Sequence, residues 1–215
     1  MIMPSRALPV LAAALVLAGA SHAAAVDWAV GVEGGYSQMT NASKSAKAIF
    51  NGPSGGGTVG GFIRFGLGRS FFLEAHGRRF QRTGERVFVA DAGGQVFRLG
   101  HPLTIRLIPV YGVIGYRFGQ NSHFAPYVTV GLGATSYNEK SDVAGLVETS
   151  SATKFSGHGA LGLDYLAGPV RFGVEVGYST VPNTIGVAGV SKLYGEKDVG
   201  GLTVLARLAF GSRTP

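Results

Sequence analysis

The sequence predicts an all-β fold, an eight-stranded antiparallel transmembrane β-barrel preceded by a cleavable signal peptide. Three observations carry this. From Val26 onward, apolar residues recur every two positions, the period of a strand with two unlike faces, and not every 3.6. Eight such stretches are joined by connections that alternate between long and tight, as in membrane barrels. Thirty-five of 215 residues are glycine, with no strict Gly-X-Y period, and they lie among Val, Leu, Phe and Tyr.

The first stretch sets Trp28, Val30, Val32 and Tyr36 against Ala29, Gly31, Glu33 and Ser37. The second sets Val59, Ile63, Phe65 and Leu67 against Thr58, Phe62 and Arg64, and the third sets Phe71, Leu73 and Ala75 against Phe72, Glu74, His76 and Arg78. The fourth, Thr104 to Phe118, is apolar on both parities; Ile108, Val110, Ile114, Tyr116 and Phe118 are assigned outward, and Tyr111, Gly115 and Arg117 inward. Pro109 within it requires a local distortion, because proline has no N–H for the ladder. In the fifth, Val128, Val130, Leu132 and Ala134 oppose Tyr127, Thr129 and Thr135. In the sixth, Leu161, Leu163 and Tyr165 oppose His158, Ala160 and Asp164. The seventh and eighth set Phe172, Val174, Val176 and Tyr178, then Val204, Leu208 and Phe210, against Arg171 and Glu175, then Thr203 and Arg207.

Long connections are expected at Thr40–Gly55, Gln81–His101, Asn138–Thr153 and Val181–Asp198. Tight ones are expected at Gly68-Arg69, Gly119–His123 and Ala167-Gly168-Pro169.

Energetics decides which face meets lipid. Arg64, Arg78, Arg171 and Arg207 lie near strand centres, and each would cost about 2–4 kcal/mol facing lipid at the midplane. They must point inward, into a lumen that eight strands leave just wide enough for side chains to fill. The inward acids Glu33, Glu74, Asp164 and Glu175 roughly balance them. An ion-pair network of Glu33, Arg64, Glu74, His76, Arg78, Arg117, Asp164, Arg171, Glu175 and Arg207 is therefore expected, since unpaired buried charge is prohibitive. Outward aromatics near strand ends, Trp28, Tyr36, Phe65, Phe71, Tyr116, Phe118, Tyr165, Tyr178 and Phe210, suit interface girdles.

Residues 1–25 have the three parts of a secretory signal: Arg6, an apolar run from Ala7 to Ala20, and small-residue cleavage sites at Ser21-His22-Ala23 and Ala23-Ala24-Ala25. Residues 26–215 then form one barrel domain. The formal charge of +7, in an exported chain, points to phosphorylated lipid and away from nucleic acid. The absence of cysteine excludes disulfides, thiolate metal sites and cysteine nucleophiles.

The segments Ile108-Pro-Val-Tyr-Gly-Val-Ile-Gly-Tyr-Arg-Phe118 and Ala125-Pro-Tyr-Val-Thr-Val-Gly-Leu-Gly133 resemble the small outer-membrane barrel superfamily of OmpA-, OmpX-, OmpW- and opacity-type proteins. Leu205-Ala-Arg-Leu-Ala-Phe210 resembles its closing strand, although such proteins usually finish on the aromatic and here Gly211-Ser-Arg-Thr-Pro215 follows. The resemblance implies residence in a bacterial outer membrane.

Motifs for chemistry are weak. Gly157-His-Gly-Ala-Leu-Gly162 fits a dinucleotide fingerprint but lies within a strand, with no helix to receive pyrophosphate. Gly52-Pro-Ser-Gly-Gly56 fits a nucleophile-elbow pattern in a Gly-rich loop, and Asn41-Ala42-Ser43 is a sequon in a polar loop. His76, His101, His123 and His158 form no close-spaced ligand set, so no metal and no cofactor is expected. His76 next to Glu74 raises a lipid hydrolase, yet its inward parity turns it from the substrate.

The expected protein is a non-enzymatic, monomeric outer-membrane barrel that displays long loops for surface contact or adhesion. The alternatives are a narrow channel for small or apolar solutes, a lipid-modifying enzyme, and a soluble lipocalin-like barrel. Expected partners are outer-membrane lipid, with lipopolysaccharide phosphates meeting basic loop residues, and a host or surface ligand. Those basic residues are Lys44, Lys47, Arg82, Arg86, Lys140, Lys154, Lys192 and Lys197, with Arg79 at a strand end.

Overall fold

The computed structural model describes residues 27–91, 93–119, 122–143 and 145–212. The expected leader, Met1–Ala25, and the final Arg213–Pro215 lie outside the described residues. In chain order the elements are β1 (Trp28–Gln38), α1 (Ser43–Phe50), β2 (Gly55–Leu67), β3 (Phe71–Val89), β4 (Val96–Arg117), β5 (Phe124–Val143), β6 (Leu146–Ala167), β7 (Val170–Thr180), α2 (Gly189–Leu193) and β8 (Gly201–Gly211). Each strand pairs antiparallel with the next, and β8 returns to β1, closing the barrel. Closure leaves no sheet edge, which a hydrocarbon surround demands because lipid has nothing to offer an unpaired N–H or C=O.

The two faces follow the alternation in every strand. Outward residues include Val30, Val32, Val59, Ile63, Leu73, Val110, Ile114, Val130, Leu132, Leu161, Val174, Val176, Val204 and Leu208, all exposed. No charged side chain points outward between Trp28 and Tyr36 on β1 or along the outward faces of β2, β7 and β8; on β3 the band ends at Gly77, and Arg79 stands opposite Val59 at its upper edge. Its nine residues per strand fit a tilted membrane crossing. Aromatics concentrate at the end with the short turns, where Trp28 meets Phe210 and Tyr116 meets both Phe71 and Phe118, ring edge to face. Gly68, Gly119 and Gly168 turn the chain there with φ of 75°, 71° and 64°, a region a side chain rarely enters.

At the opposite end the expected loops divide into two kinds. The Gln81–His101 and Asn138–Thr153 segments are largely strand: β3–β4 and β5–β6 continue as hairpins to Val89↔Val96 and Val143↔Leu146. Beyond the lipid band both faces of these strands are wet, so the apolar alternation that marks a strand in sequence fades while the ladder continues. The other two connections are loops with helices. Thr40–Ala42 forms a 3-10 turn that leads into α1, which ends at Asn51 in the left-handed conformation, and 181–200 carries α2. Pro109 sits in a strand whose register runs unbroken through it, and the irregularity in the β3–β4 ladder falls instead between Glu85 and Val87. That ladder pairs Gly77 with Val110 and Phe80 with Leu107 in one register.

Inside, rings lie over glycines on neighbouring strands. Phe62 faces Gly31, Phe72 faces Gly115 and Tyr127 faces Gly162, and in each case a Cβ on the glycine would overlap the ring. Gly115→Val should therefore destabilise the barrel by about 1–3 kcal/mol, the usual cost of overfilling a packed site. The check is the denaturant midpoint of the refolded protein, read by the gel shift between unboiled and boiled samples.

Candidate functional site

The lumen is where the chain concentrates its charge, and strand register places each group. Reading across the barrel wall from β6 to β3, one row of directly paired residues runs Asp164, Gly173, Arg207, Glu33, Gly60, Arg78. Acid and base alternate along it, separated twice by glycine. Gly60 lets Arg78 cross β2 to reach β1: a Cβ there would stand 2.9 Å from Arg78 Cγ. A second direct pair, Arg64 opposite Glu74, sits nearer the turn end on β2 and β3.

Arg207 is the hub. It donates to Glu74 at 2.7 Å, to Glu175 at 2.6 Å and to the Tyr127 hydroxyl at 2.8 Å, and its Nε lies 3.2 Å from Glu33. Arg78 donates to Glu33 at 2.5 Å and to Glu175 at 2.8 Å. Arg64 donates to Glu74 at 2.8 Å and to Asp164 at 2.6 Å. The Tyr127 hydroxyl in turn donates to Glu175 at 2.9 Å. The flat guanidiniums also stack on rings, Arg207 on Phe62 at 3.7 Å and Arg64 on Phe72 at 4.2 Å.

Arg117 and Arg171 lie a step closer to the turn end, where both meet Asp27, at 3.3 and 2.5 Å. Asp27 and Tyr127 are the members that sequence reasoning left out. Asp27 stands two residues before Ala29, on the inward parity, so continuing the first strand's alternation by one step would have found it. Counting Asp27, the network among the described residues holds Arg64, Arg78, Arg117, Arg171 and Arg207 against Asp27, Glu33, Glu74, Asp164 and Glu175, a formal sum of zero.

His76 is buried with Nδ1 3.2 Å from Glu74, and its ring packs against Tyr111 and His158 at centroid distances of 5.3 and 5.0 Å. Among the described residues no serine bonds to it to complete a triad. Beyond this aromatic trio lies a cavity of about 50 Å³, bounded by Arg78, Tyr111, Thr58 and Thr135 on one side and by Met39, Phe80, Leu107, Val181 and Val199 on the other.

Those apolar residues belong to a cluster with Ala42, Ala46, Phe50, Ile105 and Tyr137 that fills the barrel mouth. α1 supplies the lid. Glu196, from the 181–200 loop, accepts the backbone N–H groups of Lys44 and Ser45, each at 2.9 Å, and the Ser45 hydroxyl at 2.5 Å. A carboxylate at a helix N-terminus is favourable both as an acceptor and against the dipole.

The basic residues expected in the loops lie in different settings. Arg82 donates to the carbonyls of Pro53 and Gly55, Arg86 pairs with Glu148 at 2.7 Å, and Lys192 sits on α2.

Arg207→Leu removes the partner that Glu33, Glu74 and Glu175 share, and should cost about 3–5 kcal/mol of barrel stability. Arg64→Leu should act in the same direction. Tyr127→Phe removes one neutral hydroxyl and should cost nearer ~1 kcal/mol. Urea midpoints of the three refolded variants check the order.

Among the solved structures that share the fold with this chain are two further outer membrane proteins. OprG, an outer membrane protein of Pseudomonas aeruginosa, aligns with a TM-score of 0.56 at 14% identity, covering 88% of this chain and 96% of its own. A major outer membrane protein of Thermus thermophilus aligns with a TM-score of 0.51 at 12% identity, covering 86% of this chain and 100% of its own. No curated protein matches in sequence. The family described as "Outer membrane protein beta-barrel domain" matches residues 10–189, most of the chain. A closed ring of eight strands, an uncharged outer band and that match together make this chain a member of the outer membrane protein β-barrel family, resident in the bacterial outer membrane.

Proposed function

We propose that the protein is a non-enzymatic barrel that works by presenting its outer hairpins to a surface ligand. The short turns face the periplasm in such barrels and the long connections face outside. The observation that carries the reading is at the tips of those hairpins. Phe88 and Phe97, opposite each other on β3 and β4, are 57% and 51% exposed with ring centroids 6.4 Å apart, and Leu99 lies beside them. Leu146 and Val147 are likewise exposed on the neighbouring β5–β6 tip. All lie beyond the lipid band, where no membrane accounts for apolar side chains. Aromatic and aliphatic groups held in water on a rigid ladder mark contact sites.

The interior supports this reading over a conduit. The charge network, the apolar mouth cluster and the lid lie in series along the axis, and a cavity of about 50 Å³ between them has room for only a few waters. It also supports it over a lipid hydrolase, because His76 points into the lumen and not to the lipid face.

The test is attachment of whole cells, or their mutual aggregation, with Phe88→Ser/Phe97→Ser. Losing an aromatic anchor typically costs about 2 kcal/mol, roughly thirtyfold in affinity. Attachment should fall while the unboiled gel mobility of the barrel stays unchanged. Unaltered attachment would reject the role of these tips, and discrete conductance steps in a planar bilayer would reject the sealed lumen.

A further inference from the structure

Where the lipid band ends on the β3–β4–β5 side, the outward parity turns from apolar to basic. On β3 the outward series Phe71, Leu73, Ala75, Gly77 continues as Arg79 and Gln81, and on β4 the series Ile114, Gly112, Val110, Ile108 continues as Arg106. Gln81 and Arg106 are direct partners in the ladder. The single Gln81 side-chain oxygen accepts from both guanidiniums, from Arg79 at 2.7 Å and from Arg106 at 3.1 Å.

Two like charges are thus gathered on one neutral acceptor. Among the described residues neither arginine has a carboxylate within ion-pair distance. Their neighbours higher on the same strands do: Arg86 pairs with Glu148, and Arg98 with Glu85 at 3.3 Å. A third cation stands close by. Arg106 pairs with Asn138 on β5, and Lys140, the next outward residue of that strand, is exposed.

Like charges repel, so such a group calls for an anion that touches more than one of them at once. The level along the barrel says where that anion comes from. The cluster begins at the upper edge of the apolar band, for Arg79 follows Gly77 on the outward face and stands opposite Val59 of β2, and Arg106 follows Ile108. The edge of the apolar band on the side of the long connections is where outer-leaflet headgroups lie. A guanidinium offers paired N–H donors in a plane that matches two oxygens of a phosphate.

We propose that Arg79 and Arg106, oriented by Gln81 and flanked by Lys140, form a binding site for the phosphate of an anionic outer-leaflet lipid. Gln81 is a positioning residue: it fixes both guanidiniums with their remaining donors free. The site lies on the wall of the barrel and is independent of the hairpin tips, so it stands or falls separately from surface attachment.

The experiment uses the refolded full-length barrel in detergent, with bound lipid counted by native mass spectrometry. The probes are diphosphoryl lipid A, its dephosphorylated form, and inorganic phosphate. The wild-type protein should retain the phosphorylated lipid at least tenfold better than the dephosphorylated one, and millimolar inorganic phosphate should not displace it. Arg79→Gln/Arg106→Gln should abolish that preference, Arg79→Lys/Arg106→Lys should weaken it less, and Arg86→Gln should leave it intact.

Equal retention of the two lipids by the wild type would overturn the proposal, as would an undiminished preference in the double glutamine variant. Displacement by inorganic phosphate would assign the site to a free anion and not to lipid. Should the double variant fail to fold, the phosphate dependence of the wild type and the single Arg106→Gln variant decide the matter.

Discussion

Charge neutrality inside a closed wall is the constraint on which the rest of this structure depends. The paired acids and arginines share a lumen one side chain wide, and each ion pair compensates its desolvation only if its geometry and its remaining hydrogen bonds are satisfied. Glu33 and Arg207 lie opposite each other across the seam where the first and last strands meet. The central pairs are therefore complete only when the ring is closed in one register. A slip by one residue would turn Arg207 to lipid and Leu208 to the lumen.

Glycine is the second half of that arrangement. A row of six inward positions could not hold two arginines, two acids and two further side chains in the same plane. Gly173 and Gly60 leave the space that Asp164, Arg207 and Arg78 cross. The same substitution of space for side chain seats the Phe62, Phe72 and Tyr127 rings, on which the guanidiniums rest. The abundance of glycine in this chain thus reflects volume more than turn-making.

The strand count, the facing of every strand and the short turns were legible in the sequence because lipid on one side and charge on the other enforce a period of two. Legibility failed where that contrast ends. Above the membrane the residues of β3 to β6 alternate between two wet faces, so Gln81–His101 read as loop although it is mostly ladder. The partners within the lumen were legible as a set, from parity, but not as pairs, because which acid meets which arginine depends on register and on glycines that let side chains cross a strand. Asp27 was missed for want of one further step along β1. The lid of α1 on Glu196 joins residues 151 apart and has no sequence signal at all.

The strands are unequal: β3, β4, β5 and β6 run 19 to 22 residues, while β1, β2, β7 and β8 run 11 to 13. The outer rim is accordingly a parapet on one half and a low sill on the other, with the lid packed against the inside of the parapet, where Arg82 lies over the Phe50 ring and Arg98 donates to the Ala48 carbonyl. The lid is backed by the tall hairpins and open toward the low side of the rim, and Val187 of the 181–200 loop is 85% exposed. The barrel thus has a front and a back, although its ring of strands alone would suggest neither.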